Sequence, residues 1–230
     1  MTDEIFRNEY KYLIDARQDG ILSVRAAGLL ERDSHTGTDG KYIIRSLYLD
    51  DIYDTSLSDN LKGADPRSKF RIRYYNSDTG YIMFEKKSKY RGKGQKKSCP
   101  ITKEECRQFM AGNIPTVTDD MPKEKQELFS EAMLRGLMPK IIVTYEREPF
   151  TYPGGNVRIT FDRNLSSAEE ISKFLSGHYV ERPVFPCGQS LMEVKWDEVM
   201  PKHIKETLSI ENLQWTAFSK YGMCRTYRLR

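Results

Sequence analysis

The sequence predicts an α+β fold formed by a single domain, and three observations support this prediction. Segments with the two-residue alternation of β-strands occur along the whole chain, and segments with helical spacing lie between them. The chain has 230 residues, a length that one domain can accommodate. No repeat, low-complexity linker or composition change marks a boundary, so residues 1–230 are expected to form one domain.

Strands are predicted in residues 5–12, 42–49, 68–76, 81–88, 140–148, 156–162 and 190–196. The residues between the third and fourth of these segments, 77–80, include Asp78 and Gly80 and predict the turn of a hairpin. Helices are predicted in residues 13–30, 102–110, 123–137 and 197–209, and a short helix or turn in 50–61. Thr102 and Glu105 have the spacing of a capping box.

Composition favours a cytoplasmic protein that binds anions. Charged residues make up 30% of the chain and the formal net charge is +4, which lacks the strongly basic balance expected of a nucleic-acid-binding protein. The four cysteines form no C-x-x-C pair, so a zinc site is not expected and the thiols are expected to be reduced. The sequence also shows neither a signal peptide nor a transmembrane segment.

Charged and apolar residues occupy opposite faces of the predicted strands. One face carries Lys69, Arg71 and Arg73 in residues 68–76, Glu85 and Lys87 in 81–88, Arg158, Thr160 and Asp162 in 156–162, and Glu193 and Lys195 in 190–196. Lys86 departs from this pattern, because it lies on the apolar side of its strand. Ordinary half-buried strands with a solvated outer face are the simplest alternative interpretation.

The mixture of many cations with a few carboxylates favours a polyanion site. If the strands curl into a barrel, their charged faces converge on a channel. Cations confined together repel one another and lose hydration, and a polyanion compensates for both effects. Arg and Lys bind phosphate oxygens, whereas carboxylates hold Mg²⁺ or Mn²⁺. Such a site suits phosphoryl transfer. This reaction requires alignment of the attacking and leaving oxygens and cancellation of charge in the transition state.

The basic segment 91–98 has three interpretations. Its lysines, arginine and glycines are typical of a solvated loop, and they also resemble a patch that binds nucleic acid. Because the segment follows the strand of Glu85 and Lys87, a loop that guides a phosphate chain is the third interpretation. In that case Lys96 and Lys97 are the better candidates for contact with phosphate.

Short motifs in a fixed order are distributed over nearly the whole chain. They are E-Y-K-Y at 9–12, S-L-Y-L-D at 46–50, K-F-R-I-R-Y at 69–74, E-K-K at 85–87, T-Y-E-R at 144–147, R-I-T-F-D at 158–162, E-V-K at 193–195 and F-S-K-Y at 218–221. In this order the chain resembles the catalytic domain of VTC (vacuolar transporter chaperone) polyphosphate polymerases, within the triphosphate tunnel metalloenzyme or CYTH-like group.

The resemblance implies an antiparallel eight-stranded β-barrel with helices on its outside, and transfer of the ATP γ-phosphate to inorganic polyphosphate with Mn²⁺ or Mg²⁺. The implied catalytic residues are Lys11, Arg71, Arg73, Lys87, Arg147, Arg158 and Lys220. Lys69, Lys96, Lys195 and Ser219 are expected to add phosphate contacts. Glu193 is the expected metal ligand. Glu9 is a weaker candidate, which would support the groups around the metal without binding it directly. Analogy with eukaryotic relatives implies a membrane-protein partner.

One position departs from the related tunnel hydrolases. Their first strand begins E-x-E-x-K, whereas this chain has Arg7 where the first Glu would stand, followed by Glu9 and Lys11. The loss of an acidic residue favours a polymerase over a two-metal hydrolase. A triphosphatase that uses water as the acceptor remains an alternative, as does a noncatalytic module that binds polyphosphate. Nucleic-acid binding is disfavoured, because cations that face inward could not follow a duplex.

Overall fold

The computed structural model describes residues 7–33, 36–91 and 93–227. Ile5 and Phe6, which were predicted to begin the first strand, and Gly92 of the basic segment lie outside the described residues.

The strands are β1 (Asn8–Ile14), β2 (Glu31–Arg32), β3 (Tyr42–Asp50), β4 (Arg67–Tyr75), β5 (Asp78–Tyr90), β6 (Lys93–Ile101), β7 (Met138–Tyr152), β8 (Val157–Ala168), β9 (Arg182–Pro183) and β10 (Ser190–Trp196). The α-helices are α1 (Ala16–Leu29), α2 (Thr55–Lys62), α3 (Lys103–Met110), α4 (Lys123–Leu134), α5 (Lys202–Thr207) and α6 (Lys220–Thr226). Two short 3₁₀-helices, Gly154–Asn156 and Ile171–Ser176, complete the secondary structure.

Eight of these strands follow one another in the sheet order β1-β10-β8-β7-β3-β4-β5-β6, while β2 pairs with β7 and β9 with β8. The pairs β1–β10, β10–β8, β3–β4, β4–β5 and β5–β6 are antiparallel. The predicted fold class was α+β, an antiparallel eight-stranded β-barrel with helices packed on the outside. It is confirmed by one antiparallel sheet in which eight strands follow one another, with helices packed on it. None of the helices within the described ranges is long and apolar enough to cross a membrane.

The described residues group into two compact units. Unit 1 lies within residues 1–43, 145–165 and 183–218, and unit 2 lies within residues 44–144, 166–182 and 219–230. Each unit has its own apolar core. The expectation that residues 1–230 form one domain stays a prediction.

The core of unit 2 is built from aromatic residues of β5, α3 and α4. Phe84, Phe109 and Phe129 are fully buried, and the three ring centroids lie 4.9–5.9 Å apart. Full burial of an apolar side chain of this size stabilises a fold by about 1.5–3 kcal/mol. These contacts hold α3 and α4 on the apolar face of the β4–β6 strands, which leaves the opposite face for charged residues.

The core of unit 1 forms between α1, α5 and the strands β7, β8 and β10. It contains Leu22, Phe150, Phe161, Met192 and Ile204, all fully buried. The rings of Phe150 and Phe161 meet edge to face at 6.1 Å. Because these residues occupy one parity of their strands, Arg158, Thr160 and Asp162 are left on the other parity, as predicted.

Helix α1 begins later than predicted. β1 continues to Ile14, and Asp15 is the N-cap residue of the helix. The Asp15 side chain accepts a hydrogen bond from the backbone N–H of Gln18 at 2.8 Å, and the Gln18 side chain accepts one from the Asp15 backbone at 3.1 Å. This reciprocal capping box fixes the boundary between strand and helix.

The predicted hairpin between β4 and β5 is present, but its turn is displaced. Tyr75 pairs with Asp78, so the turn consists of Asn76 and Ser77. Asn76 has a φ of 52°, a left-handed conformation that Asn tolerates better than most residues. Asp78 and Gly80, which were expected to form the turn, are instead part of β5.

The expectation of a loop in residues 91–98 was wrong. Residues from Lys93 onward form β6, which pairs with β5 from Tyr90–Lys93 to Ile82–Ile101. β6 lies at the end of the sheet order and buries only Cys99 and Ile101, so its sequence has too few apolar residues to show strand alternation.

The capping box predicted at the start of α3 is confirmed, and it supplies a stability test. Thr102 accepts a hydrogen bond from the backbone N–H of Glu105 at 3.1 Å. Thr102→Ala is expected to lower the free energy of unfolding by about 1 kcal/mol, measured by urea denaturation. Thr116→Ala, at an exposed loop position, is the control and should change it much less. Equal effects of the two substitutions would contradict this role of Thr102.

Candidate functional site

In unit 2, three lysines lie side by side across adjacent strands. Lys69 of β4 is opposite Lys87 of β5, and Lys87 is opposite Lys96 of β6. Like charges in directly opposite positions destabilise a sheet. Neighbouring strands lie about 4.8 Å apart, so an extended polyanion that crosses these strands could contact all three lysines.

The adjacent row contains an acid that holds two arginines. Arg71 is opposite Glu85, whose side chain is 1% exposed. Arg71 Nε donates to Glu85 Oε2 at 2.7 Å, and Arg73 Nη2 donates to Oε1 at 2.7 Å. Lys96 Nζ lies 3.5 Å from the same carboxylate. One buried carboxylate thus orients two guanidinium groups on the charged face.

The pKa of Glu85 reflects the cations around its carboxylate. Burial by itself would raise the pKa of Glu85, but Arg71, Arg73, Lys96 and Lys87 act against burial and hold the pKa far below the ordinary carboxyl value. Glu85 is therefore ionised at physiological pH. In adjacent rows, Lys69, Lys87, Lys96, Arg71 and Arg73 stand beside one acid, Glu85.

The exceptional parity of Lys86 is explained by helix α4. Lys86 and Lys97 lie opposite each other on the helix-covered side of β5 and β6. Lys86 Nζ is 2.6 Å from Glu131, and Lys97 Nζ is 3.0 Å from Glu127. Acidic residues of α4 thus pair with these two lysines at the edge of the apolar core, on the side opposite Lys69 and Lys87.

Ser219 and Lys220 join the charged set of unit 2 from helix α6. The Ser219 hydroxyl oxygen accepts hydrogen bonds from Lys69 Nζ at 2.7 Å and from the Gly222 backbone at 3.1 Å. Because both bonds use the oxygen as acceptor, the hydroxyl hydrogen can be donated to a ligand. Lys220 is the first residue of α6 and is buried. It therefore lies at the N-terminus of α6, whereas cations are favoured at the C-terminus of a helix.

In unit 1, the rows across β1, β10 and β8 contain both acidic and basic residues. Lys11 is opposite Glu193, which is opposite Thr160, and in the next row Glu9 is opposite Lys195, which is opposite Arg158. The exposed carboxylate of Glu9 lies 3.1 Å from Lys11 Nζ and 3.0 Å from Lys195 Nζ. These rows are close to neutral, unlike the basic face of unit 2.

Arg147 anchors the buried side of this charged set. Its guanidinium donates to both oxygens of Asp162, at 2.6 and 2.7 Å, and lies 3.6 Å from Glu193 Oε2. Burial disfavours the charged form of Arg147, but Asp162 outweighs burial and raises the pKa well above its usual value. Arg147 and Asp162 therefore form a bidentate ion pair.

Glu193 has a different environment from Asp162. Its carboxylate is 8% exposed, and its contacts with Arg147 and Lys195 are both 3.6 Å, longer than an ordinary charge-assisted hydrogen bond. Within the described ranges, no three His, Cys, Asp or Glu residues are grouped to hold a metal ion. Mg²⁺ commonly uses one or two carboxylates together with substrate phosphates, so Glu193 fits a site of that kind.

Two hydroxyl groups that were not selected from the sequence lie on the same faces. Thr160 Oγ1 in unit 1 and Ser46 Oγ in unit 2 are buried and have no hydrogen-bond partner among the described residues. Thr160 is directly opposite Glu193, and Ser46 is directly opposite Arg73. Burial of an unsatisfied hydroxyl is costly, so both are candidate ligand contacts. The strand parity of Thr160 was visible in the sequence, whereas its lack of a partner was not.

The predicted site residues are divided between the two units. Unit 1 contains Glu9, Lys11, Arg147, Arg158, Glu193 and Lys195, and unit 2 contains Lys69, Arg71, Arg73, Lys87, Lys96, Ser219 and Lys220. Arg158 contacts two residues that were not predicted as site residues, Asp33 at 2.8 Å and Tyr42 at 3.1 Å.

The role of Glu85 can be tested through its pH dependence. Glu85→Gln leaves Arg71 and Arg73 without their buried counter-charge, so it should lower the free energy of unfolding at pH 7 by about 3 kcal/mol. Because the folded state lowers the pKa of Glu85, the ionised carboxylate stabilises the fold above its unfolded pKa, and this stability is lost as pH falls through the folded pKa. The difference from wild type should therefore shrink below pH ~4.3.

Urea denaturation at several pH values measures this difference. Glu104→Gln is the control, because Glu104 is an exposed partner of Arg107 whose loss should cost about 0.5 kcal/mol or less. A destabilisation by Glu85→Gln that is constant from pH 7 to about pH 3 would contradict the assignment.

Comparisons with known proteins show the family of this chain and a similar fold. A family model described as the VTC domain matches residues 6–227. A protein of Vibrio parahaemolyticus, provisionally assigned as an adenylate cyclase, has a similar fold with a TM-score of 0.52 and 10% identity, over 97% of this chain and 99% of that chain. A second protein with the same provisional assignment, from Bacillus halodurans, gives 0.49 and 14%, over 86% and 83%. No curated protein matches the sequence significantly.

The family match spans nearly all of the chain and includes every predicted site residue in both units. The structural match with the Vibrio protein supports the fold alone, because the sequence identity is low. On the family match, the chain belongs to the VTC domain family.

Proposed function

We propose that this protein is an ATP-dependent polyphosphate polymerase, a phosphotransferase that adds the γ-phosphate of ATP to inorganic polyphosphate. The observation that carries the proposal is the row Lys69–Lys87–Lys96 beside Arg71 and Arg73, which Glu85 only partly neutralises. These adjacent rows hold five cations and one acid, a charge balance that suits a polyanion crossing the strands. Membership in the VTC domain family supports the same substrate class.

The basic residues have distinct tasks in this proposal. Arg71 and Arg73 are oriented by Glu85, so their guanidinium groups would meet phosphate oxygens without a large loss of side-chain entropy. Lys11, Lys87, Arg147, Arg158 and Lys220 are the further proposed catalytic contacts, and Lys69, Lys96, Lys195 and Ser219 bind phosphate. Their combined charge would stabilise the transition state of phosphoryl transfer.

The carboxylate of Glu193 is the proposed ligand for Mn²⁺ or Mg²⁺, with Glu9 in the second shell. A bound divalent cation would supply charge that offsets the phosphate oxygens near the reacting phosphorus. Glu9 suits a supporting position, because Lys11 and Lys195 already contact its two oxygens. Asp162 is not proposed as a ligand, since Arg147 engages both of its oxygens.

The position of Arg7 favours polymerase over hydrolase chemistry. Arg7 stands where related hydrolases have an acid, and its Nε lies 2.8 Å from Asp197. A second carboxylate ligand from this strand position is therefore replaced by a cation in an ion pair. This supports a site with a single metal ligand rather than a two-metal centre that activates water.

Further proposals concern the setting of the enzyme. We propose that residues 1–230 act as one domain in the cytoplasm, with ATP and inorganic polyphosphate as partners and without nucleic-acid binding. The membrane-protein partner implied for this family is proposed by analogy alone.

Product analysis tests the proposed reaction. The purified protein with ATP and Mn²⁺ should give a ladder on a gel stained for polyphosphate, and Glu193→Gln should abolish the ladder while still binding tripolyphosphate in EDTA. Glu206→Gln, at an exposed helix position, is the matched control and should behave as wild type. Release of inorganic phosphate alone would indicate a triphosphatase, and tripolyphosphate binding without turnover would indicate a noncatalytic module. Either result would overturn the proposal.

Thr160 allows stability and function to be separated. Thr160→Val removes a buried hydroxyl that has no protein partner among the described residues but keeps the side-chain shape, so thermal stability should be unchanged or higher. If the hydroxyl contacts phosphate, kcat/KM for polyphosphate synthesis should fall about tenfold, which corresponds to one hydrogen bond to a charged group. Thr160→Ser keeps the hydroxyl and should retain most activity. Full activity of Thr160→Val would exclude this contact.

A further inference from the structure

The short helix α6 is attached to helix α2 through a fully buried acid. Asp50, at the end of β3, accepts hydrogen bonds from the backbone N–H groups of Ser56 and Leu57, at 2.9 and 3.0 Å. Its Oδ2 also accepts a hydrogen bond from the Tyr221 hydroxyl at 2.7 Å. One carboxylate therefore satisfies the first turn of α2 and fixes a side chain of α6.

This arrangement frees the residue that would ordinarily cap α2. Asp54 is the N-cap residue, but its side chain makes no capping bond, because Asp50 and Asp51 bond the first-turn N–H groups instead. The Asp54 carboxylate contacts Arg225 of α6 at 2.6 Å and Lys140 at 2.9 Å. A second attachment of α6 thus lies one helical turn beyond Tyr221.

Packing around Gly222 and Tyr221 leaves α6 little room to move. A Cβ atom at Gly222 would lie 2.9 Å from Asn60 Oδ1, so the two helices approach closely at this point. The Tyr221 ring stacks on Tyr48 with centroids 4.9 Å apart. Tyr48 in turn accepts a hydrogen bond from Arg71 at 3.4 Å. These contacts connect α6 to the arginine that Glu85 orients.

The attachments fall next to the proposed phosphate contacts. Ser219 is the N-cap residue of α6, Lys220 is its first residue, and Tyr221 follows directly. Ser219 also accepts a hydrogen bond from Lys69. Any rotation or shift of α6 would therefore move Ser219 and Lys220 together relative to Lys69.

We propose that Tyr221 is a positioning residue: its hydrogen bond to Asp50 holds α6 so that Ser219 and Lys220 contact phosphate. The inference rests on the proposed function, since it assumes that this face binds phosphate. It assigns Tyr221 a role through its neighbours, without contact of its own with the substrate. The hydroxyl stays protonated at physiological pH, because burial and then the Asp50 carboxylate raise the pKa of Tyr221 well above its usual value.

A double-mutant cycle tests the proposal with inorganic tripolyphosphate as the probe, titrated calorimetrically in EDTA. Tyr221→Phe keeps the ring stacked on Tyr48 and removes only the hydroxyl. In the wild-type background it should weaken tripolyphosphate binding about tenfold, the effect of one misplaced charge-assisted contact. In a Ser219→Ala, Lys220→Ala background it should have about no further effect, because the groups it positions are gone.

Tyr227→Phe, at an exposed position beside the end of α6, is the matched control and should bind as wild type. Unchanged binding by Tyr221→Phe, or an equal loss in both backgrounds, would overturn the inference while leaving the proposed function intact. Failure of the wild-type protein to bind tripolyphosphate would overturn the proposed function and the inference with it. If Tyr221→Phe does not fold, Arg225→Gln breaks the second attachment and must show the same dependence on background.

Discussion

Glu85 accepts hydrogen bonds from Arg71 and Arg73 at a place that is almost closed to water, and the charged face of unit 2 depends on that contact. Two guanidinium groups could not be held side by side in this position without a counter-charge, because their repulsion and loss of hydration would both oppose folding. One carboxylate therefore orients both guanidinium groups on the charged face of the strands.

The two units solve the problem of buried charge differently. In unit 1, acids and bases are mixed across β1, β10 and β8, and Arg147 forms a bidentate pair with Asp162. In unit 2, lysines face lysines. Hence Glu193, the proposed metal ligand, lies in unit 1, and the row of three lysines lies in unit 2.

Helix packing decides which lysines of β5 and β6 pair with acids of α4. Lys86 and Lys97 have the same charge as Lys87 and Lys96, yet Glu131 and Glu127 of α4 pair with them on the opposite side of the strands. Strand parity therefore separates structural from candidate functional lysines that are adjacent in sequence. Asp50 likewise serves two helices. It accepts a hydrogen bond from the first turn of α2 and another from Tyr221 of α6.

The sequence by itself determined the α+β class, most of the strands, the capping box at Thr102 and the charged parity of Lys69, Arg71 and Arg73, because these follow from local periodicity and residue chemistry. It did not reveal β6, whose polar edge position removes the alternation, or the displaced turn at Asn76. Only the tertiary structure decided the partners: Glu85 between two arginines, Thr160 without one among the described residues, and Tyr221 on Asp50. Those relations join residues far apart in the chain, and strand register and helix packing, rather than local pattern, set such distances.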